Sequence, residues 1–495
     1  MILTMMVSLY TSRVVLATLG VEDFGIYNVV GGIVVMFSFL NTAMSVATQR
    51  FLAYEIGRGD ALQLNKVFSS SILIHIIIAV AILLVAESVG LWFLNTQLSI
   101  SVDRMEAANW VYQFSVFAFV INVISVPYNA LIISNEEMGV YAYISILEVV
   151  LKLLIVFLLN CFGYDKLKLY AFLVFTVALL IRLVYQLYCM RKFPNCKFKF
   201  VLEKNILKNL TTFSGWSLFG SVAYIAKAQG VNVMLNIFFG ALINAAWGIS
   251  QQVNAAVLMF VQNISTAINP PIIKAYAQGD KQRMFLLLFN GMKYTFFLAF
   301  CLIVPMLFET HFVLSLWLEE VPKYTVAFVQ YALLIIGIEL FSHITATTIQ
   351  ATGKIKWYQI IVGSILFLNL PISYVVMRLT NSPMSPMYVA VALSIVSMIF
   401  RFWLLYRLIH FPLSQLFILF RLTMILLIFS LPSIYFIQSE LCEGISRFFI
   451  ILFSTLFFSV SVLILFGISK EEHLKIRSYT SDKIKIYAKR FKQRY

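Results

Sequence analysis

The chain has 495 residues, of which 61% are hydrophobic and only 12% are charged, against about 45–50% and about 25% in soluble domains. So large an apolar surplus cannot be buried inside a soluble globule, which excludes a soluble enzyme, a soluble nucleic-acid-binding protein and a disordered chain. The net charge of +15 is explained instead by basic loops on one side of a membrane, so no nucleic-acid partner is predicted.

Apolar segments of about 20 residues, the length that crosses a hydrocarbon core of about 30 Å, recur along the whole chain. They predict an all-α polytopic membrane protein of about 14 transmembrane helices. Glycine, proline, asparagine and aspartate mark the breaks between them. The predicted spans are residues 2–19, 24–47, 67–94, 107–133, 140–162, 169–190, 213–239, 244–269, 284–308, 324–350, 357–379, 387–409, 416–438 and 447–468.

An internal repeat predicts two lobes of six helices. Gly20 precedes Gly59 by 39 residues, and Gly240 precedes Gly279 by the same spacing. The offset between the two pairs equals six helices, which implies a pseudo-two-fold axis along the membrane normal; chance similarity of short apolar strings is the alternative. The predicted divisions are an N-terminal lobe 1–190, a basic linker 191–212, a C-terminal lobe 213–409, an extra helix pair 410–468 and a basic tail 469–495.

Loop charges predict the orientation. The stretch from Arg191 to Lys208 holds six basic residues and the stretch from Lys470 to Arg494 holds nine, whereas the predicted outer loops together hold six. Since lysine and arginine accumulate in cytoplasmic loops, we expect both termini in the cytoplasm. The first span has no basic or polar lead, so we expect the first helix to begin upstream of Met1.

Charged residues inside the predicted spans are few and mostly basic. Glu148 and Lys152 are four residues apart, which predicts a local ion pair. Glu339 and His343 share that spacing; a packing hydrogen bond is the favoured interpretation, and a proton-linked coupling pair is the alternative. The other intramembrane cations either reach the interface or face a partner or a wet cavity: Arg13, Arg182, Lys227, Lys293 and Arg401.

Polar stripes suggest the walls of a cleft. Arg13 lies beside small hydroxyl residues, and Lys227 lies in a Gly- and Ser-rich segment on the equivalent helix of the second lobe, so we expect both cations to line one cavity. Amides recur on one helical face, where they would bind sugar hydroxyls, although polar contacts between helices are the alternative. The candidate cleft-wall residues are Asn41, Asn244, Gln251, Gln262 and Asn269.

Motifs of enzymatic chemistry are missing from the sequence. It contains no Walker A loop, no HExxH and no GxSxG, and the longest predicted outer connector is too short for a catalytic domain. The five cysteines include no CxxC pair, so neither a disulfide framework nor a metal site is predicted. The prediction is a transporter without a cofactor; a membrane polymerase or ligase is disfavoured by the short outer loops.

Four segments resemble a family of membrane transporters: YTSRVVLATLGVEDFGIYNVVGG, FLNTAMSVATQRFLAYEIGRGD, AINPPIIKAYAQGD and TIQATGKIKWYQIIVGSIL. They are similar to polysaccharide-biosynthesis flippases of the Wzx type, in the MOP exporter superfamily that also includes MATE drug exporters and lipid II flippases. The resemblance covers nearly the whole chain. Pro270 stands opposite Arg50 in the second lobe, so the cationic pattern is not symmetric.

The resemblance implies two six-helix lobes in a V and alternating access in a bacterial inner membrane. The implied cargo is an undecaprenyl-diphosphate-linked oligosaccharide for O-antigen or capsule, moved from the cytoplasmic to the periplasmic leaflet, with H+ or Na+ and polysaccharide assembly proteins as further partners. Arg13 and Arg50 match the positions of arginines that hold the diphosphate in lipid II flippases, and Lys227 adds a cation from the second lobe. The extra helix pair, residues 410–468, is similar to the helices that form a lipid-tail groove in those flippases. The alternative is a MATE-like ion-coupled drug or metabolite exporter.

Overall fold

The computed structural model describes residues 11, 14–15, 18–35, 37–97, 100–161, 165–200, 203–318 and 320–467, and all regular structure in these ranges is helical. Turns of π-helix, Ala86–Gly90 and Leu463–Gly467, follow α3 and α16. The helices in chain order are α1 Val21–Val35, α2 Ser38–Arg58, α3 Ala61–Val85, α4 Leu91–Gln97, α5 Val102–Ser134, α6 Met138–Cys161, α7 Lys166–Lys192, α8 Lys204–Gly240, α9 Leu242–Ala277, α10 Lys281–Phe308, α11 Thr310–Trp317, α12 Thr325–Ala351, α13 Lys356–Thr380, α14 Ser385–Ile409, α15 Leu413–Glu440 and α16 Ile445–Val462.

The predicted all-α membrane architecture is confirmed. Within the described ranges, 12 helices are long and apolar enough to cross a membrane. Of the two remaining predicted spans, 2–19 lies mostly outside the described residues, and 24–47 is divided between α1 and α2. A count of about 14 spans is consistent with these elements.

The repeat glycines have matching backbone conformations. Glycine reaches positive φ without a steric penalty, which suits it to the turn between two helices. The φ angle is +83° at Gly20 and +81° at Gly240, and +73° at Gly59 and +76° at Gly279. After each second glycine, the carboxylate of Asp60 or Asp280 accepts a backbone N–H three residues on at 2.9 Å, which caps the next helix.

The chain forms two compact units, the first of which comprises residues 1–230, 266–287 and 345–370. Within it, α5 contacts α1, α2, α3 and α7, and Phe68, Tyr112 and Leu131 are among its largest fully buried side chains. Arg104 on α5 pairs with Asp23 and, at 2.8 Å, with Asp165. These ion pairs join α5 to α1 and to the start of α7.

The connection between α7 and α8 is shorter than the predicted linker 191–212. The helix α8 begins at Lys204 because Ile206 and Leu210 continue its apolar stripe and are buried. The preceding loop is held against α3, where Asn65 donates to the carbonyl oxygen of Asn195 at 2.5 Å. Cys196 in this loop is buried, and burial raises the pKa of its thiol to about 11.

The second compact unit comprises residues 231–265, 288–344 and 371–495. Its core contains a stacked pair of rings, Phe296 and Phe341, with centroids 4.7 Å apart. The carboxylate of Glu309 is fully buried and accepts a hydrogen bond from Arg447 at 2.7 Å and another from Gln438 at 3.2 Å. This charge-assisted contact fastens α15 and α16 to the end of α10.

Candidate functional site

Arg50 lies near the end of α2 and contacts the end of α12, 300 residues later in the chain. Its guanidinium donates from Nε to the carbonyl oxygen of Gln350 at 3.2 Å and from Nη2 to that of Ala351 at 2.9 Å. The residue is only 7% exposed. Two of its donors are therefore used by backbone carbonyls, and its role as a diphosphate ligand stays a prediction.

A second contact joins α2 to α9 at Gly57. A Cβ atom at this position would lie 2.8 Å from the Cα and the carbonyl oxygen of Lys274, and 2.9 Å from Ala277 Cβ. The absence of a side chain thus lets two helices meet backbone to backbone. Beside this point, Lys274 Nζ pairs with Glu136 at 2.7 Å.

Of the two other predicted diphosphate ligands, Arg13 and Lys227, the structure describes Lys227. Arg13 lies outside the described residues. Lys227 is half-buried on α8, within the first compact unit. Their predicted meeting in one cavity stays a prediction.

The predicted cleft-wall amides fall into both compact units. Asn41 on α2 is half-buried, and its Oδ1 is a buried acceptor without a partner in the described part of the chain. Asn269 accepts a hydrogen bond from Thr347 at 2.8 Å, as the interhelical alternative expects. The remaining three lie on α9 within the second unit, where Asn244 and Gln251 are half-buried and Gln262 is exposed. Asn254 Nδ2 donates to Gln251 Oε1 at 3.5 Å.

A cavity of about 240 Å³, lined by both polar and aliphatic side chains, lies within the first unit. It contains the side chain of Lys152, whose predicted ion pair with Glu148 is confirmed at 2.6 Å. Tyr27 and Tyr170, whose ring centroids are 4.8 Å apart, form another part of its wall. The lining residues are Thr11, Tyr27, Val149, Lys152, Ile155, Tyr170 and Val174. The cavity wall thus carries the hydroxyls of Thr11, Tyr27 and Tyr170 and an ammonium group whose charge Glu148 already compensates.

Glu339 and His343 lie in the second unit with a third charged residue. Both are half-buried on α12, and Glu339 and Arg401 are the charges that act on the imidazole of His343. Arg401 donates to Ser342 Oγ at 3.3 Å. The sequence could not place Arg401 here, because it lies on α14, nearly 60 residues from the pair.

The other intramembrane cations also have partners. Lys293 is buried and donates to the carbonyl oxygen of Gly467 at 2.8 Å, and Arg182 lies 4.0 Å from the ring centroid of Tyr128. These contacts favour internal partners over interfacial snorkelling for both residues. Within the described ranges, no group of three or more His, Cys, Asp or Glu side chains is arranged to hold a metal ion.

Comparison with known proteins identifies the fold. Residues 209–375 match the MatE family model, and no curated protein of similar sequence was found. The chain is similar to an outward-facing multidrug resistance MATE family transporter of the MOP superfamily, with a TM-score of 0.71 and 13% identity over 82% of this chain and 93% of that chain. It is similar to MATE in the straight conformation, with a TM-score of 0.69 and 15% identity over 82% and 92%.

A third similar structure is a MOP superfamily transporter from Pyrococcus furiosus, for which a reversed polarity of the binding pocket suggests a different function. Its TM-score is 0.67 and its identity 16%, over 82% of this chain and 93% of that chain. Residues 209–375 are thus similar to the MatE family, and the chain has the fold of MATE transporters with the apolar helices of a multi-pass membrane protein.

Proposed function

We propose that the chain is a flippase for an undecaprenyl-diphosphate-linked oligosaccharide, which it moves from the cytoplasmic to the periplasmic leaflet of a bacterial inner membrane. The observation that carries the proposal is the sign of the charges within the predicted spans, where cations outnumber acids. Cations suit phosphate, whereas an exporter of organic cations needs carboxylates.

The orientation and the driving force follow from the same charges. With both termini in the cytoplasm, a cargo of about two negative charges moves outward down the membrane potential, by about 2.3 kcal/mol per charge per 100 mV. The potential alone thus favours export. A proton held between Glu339 and His343 is a candidate for resetting the empty carrier.

The second candidate is a MATE-like ion-coupled exporter of drugs or metabolites. It is favoured by the same MatE match and by the same structural similarity. In this case transport would depend on an intramembrane carboxylate, for which Glu339 is the candidate. The polarity reported for the Pyrococcus furiosus transporter supports a departure from cation export in some proteins of this fold.

A double substitution, Arg13→Gln with Lys227→Gln, tests the flippase proposal in cells. If the two cations hold the diphosphate, surface polysaccharide falls sharply at equal protein level, while resistance to organic cations is unaffected. The matched control is Arg378→Gln, an exposed arginine that bonds to Tyr374 near the end of α13, for which we expect normal output. Normal polysaccharide in the double variant contradicts the proposal, and lost dye resistance supports the exporter.

A further inference from the structure

We propose that Arg50 is a latch that holds the predicted cytoplasmic ends of the two sequence halves together, and that its release opens the protein toward the cytoplasm. The inference rests on the proposed transport function, since only a carrier needs to open and close. The geometry lies wholly within the first compact unit, which contains α2 together with residues 345–370.

The contact is a helix cap supplied from the other half of the chain. The helix α12 ends at Ala351, and Gly353 N–H satisfies the carbonyl of Gln350 at 2.9 Å. Arg50 adds a second donor to the carbonyl oxygen of Gln350 and donates to that of Ala351. A cation at this point also opposes the negative end of the helix dipole, which makes the cap stronger than a neutral hydrogen bond.

A glycine and several aromatic rings surround the guanidinium of Arg50. Gly353 has a φ of +75°, and a Cβ there would lie 3.0 Å from Arg50 Nη2, so a side chain would crowd the arginine. Aromatic rings from both halves lie near its Cζ, with centroids at 4.6 Å for Phe51, 4.7 Å for Tyr54 and 5.9 Å for Phe213. Cation–π contacts with several rings together with hydrogen bonds to two carbonyls suit arginine better than lysine.

Two neighbouring contacts join the same helix ends. Ala53 on α2, Ile273 on α9 and Ala351 on α12 form one buried apolar cluster. The ion pair of Glu136 with Lys274 crosses between the halves as well, but the side chains are 45% and 17% exposed, so solvent weakens it. Arg50, at 7% exposure, is the most deeply buried charge that joins the halves here.

Opening toward the cytoplasm must therefore withdraw Arg50 from the two carbonyls. The carbonyl of Ala351 would lose a charge-assisted donor, and the Ala53 cluster would meet water. Arg50 acts as a positioning residue that sets the population of the closed state. Substitution of Arg50 lowers the free-energy difference that favours the closed state over the open state, so the fraction of open molecules rises.

Thiol labelling measures this fraction without any substrate. The five native cysteines are replaced, Ala53→Cys places a reporter inside the buried cluster, and the full chain is placed in lipid nanodiscs, which leave both faces accessible to a bulky maleimide. With Arg50→Gln we expect labelling about tenfold faster, the factor that corresponds to about 1.4 kcal/mol. Arg50→Lys restores part of the protection. Arg58→Gln, on the same helix but with a side chain 51% exposed, changes the rate less than twofold.

A second reporter separates a latch from general loosening of the fold. Ala108 on α5 is fully buried in a different apolar cluster of the same unit. The labelling rate of a cysteine placed there by Ala108→Cys should not change with Arg50→Gln. Equal acceleration at both reporters, or equal rates with Arg50→Gln and Arg58→Gln, overturns the latch. Either result leaves the flippase proposal standing, because that proposal is judged by polysaccharide output.

Discussion

Gly57 offers a sharp test of the packing between α2 and α9. In Gly57→Ala the new Cβ would lie 2.8 Å from two backbone atoms of Lys274 and 2.9 Å from Ala277 Cβ, whereas carbon atoms prefer about 3.5–4.0 Å. Because backbone cannot rotate aside as a side chain can, the helices must separate by a large part of an ångström. Overpacking of this kind costs about 1–3 kcal/mol.

The matched control is Gly215→Ala on α8. A Cβ at that helical position meets nothing within 4 Å, so the exchange should stabilise the protein by about 0.5–1 kcal/mol through helix propensity. The two variants should therefore differ by about 1.5–4 kcal/mol in a titration with sodium dodecyl sulfate followed by circular dichroism. Equal unfolding midpoints would refute the close backbone contact.

Two other contacts make predictions of the same kind. Glu309→Gln should destabilise the fold by about 3 kcal/mol in the same titration, because Arg447, whose side chain is 13% exposed, loses the anionic partner that is fully buried. Glu443→Gln at the exposed pair with His311 should cost less than about 1 kcal/mol. Equal costs would contradict this account. Cys196, with its pKa raised to about 11, should label slowly with maleimide below pH 10, while the exposed Cys442 labels readily; equal labelling rates at pH 8 would show that Cys196 is not buried. The neutral Cys196 thiol contributes fully to the stability of the fold below the ordinary thiol pKa, and this contribution is lost as the pH rises through about 11.

The membrane architecture was predictable because hydrophobic length and punctuation are local properties of the chain. The apolar runs predicted the spans, and the 39-residue spacing from Gly20 to Gly59, found again from Gly240 to Gly279, predicted an internal repeat whose glycines share their backbone angles. The ion pair of Glu148 with Lys152 followed from helical periodicity alone. In each case the signal spans fewer than about 40 residues.

The surroundings of Arg50 were not predictable from such signals. Its partners are backbone carbonyls 300 residues away, and carbonyls leave no trace in the residue types of a sequence. The glycine that admits it, Gly353, looks like any helix-ending glycine. Likewise, the proximity of Arg401 to His343 depends on how two helices pack, which single-chain periodicity does not specify.

The central claim is that the cargo is a lipid-linked diphosphate sugar, and translocation in proteoliposomes tests it most directly. The purified full chain is reconstituted with an undecaprenyl-diphosphate oligosaccharide that carries a fluorophore on its sugar, and an impermeant quencher reports the exposed leaflet. We predict that the protein transfers the labelled sugar between leaflets, faster with a potential that drives anions toward the receiving side, and that empty liposomes do not. Absence of transfer, together with proton- or sodium-driven efflux of an organic cation by the same preparation, would contradict the account.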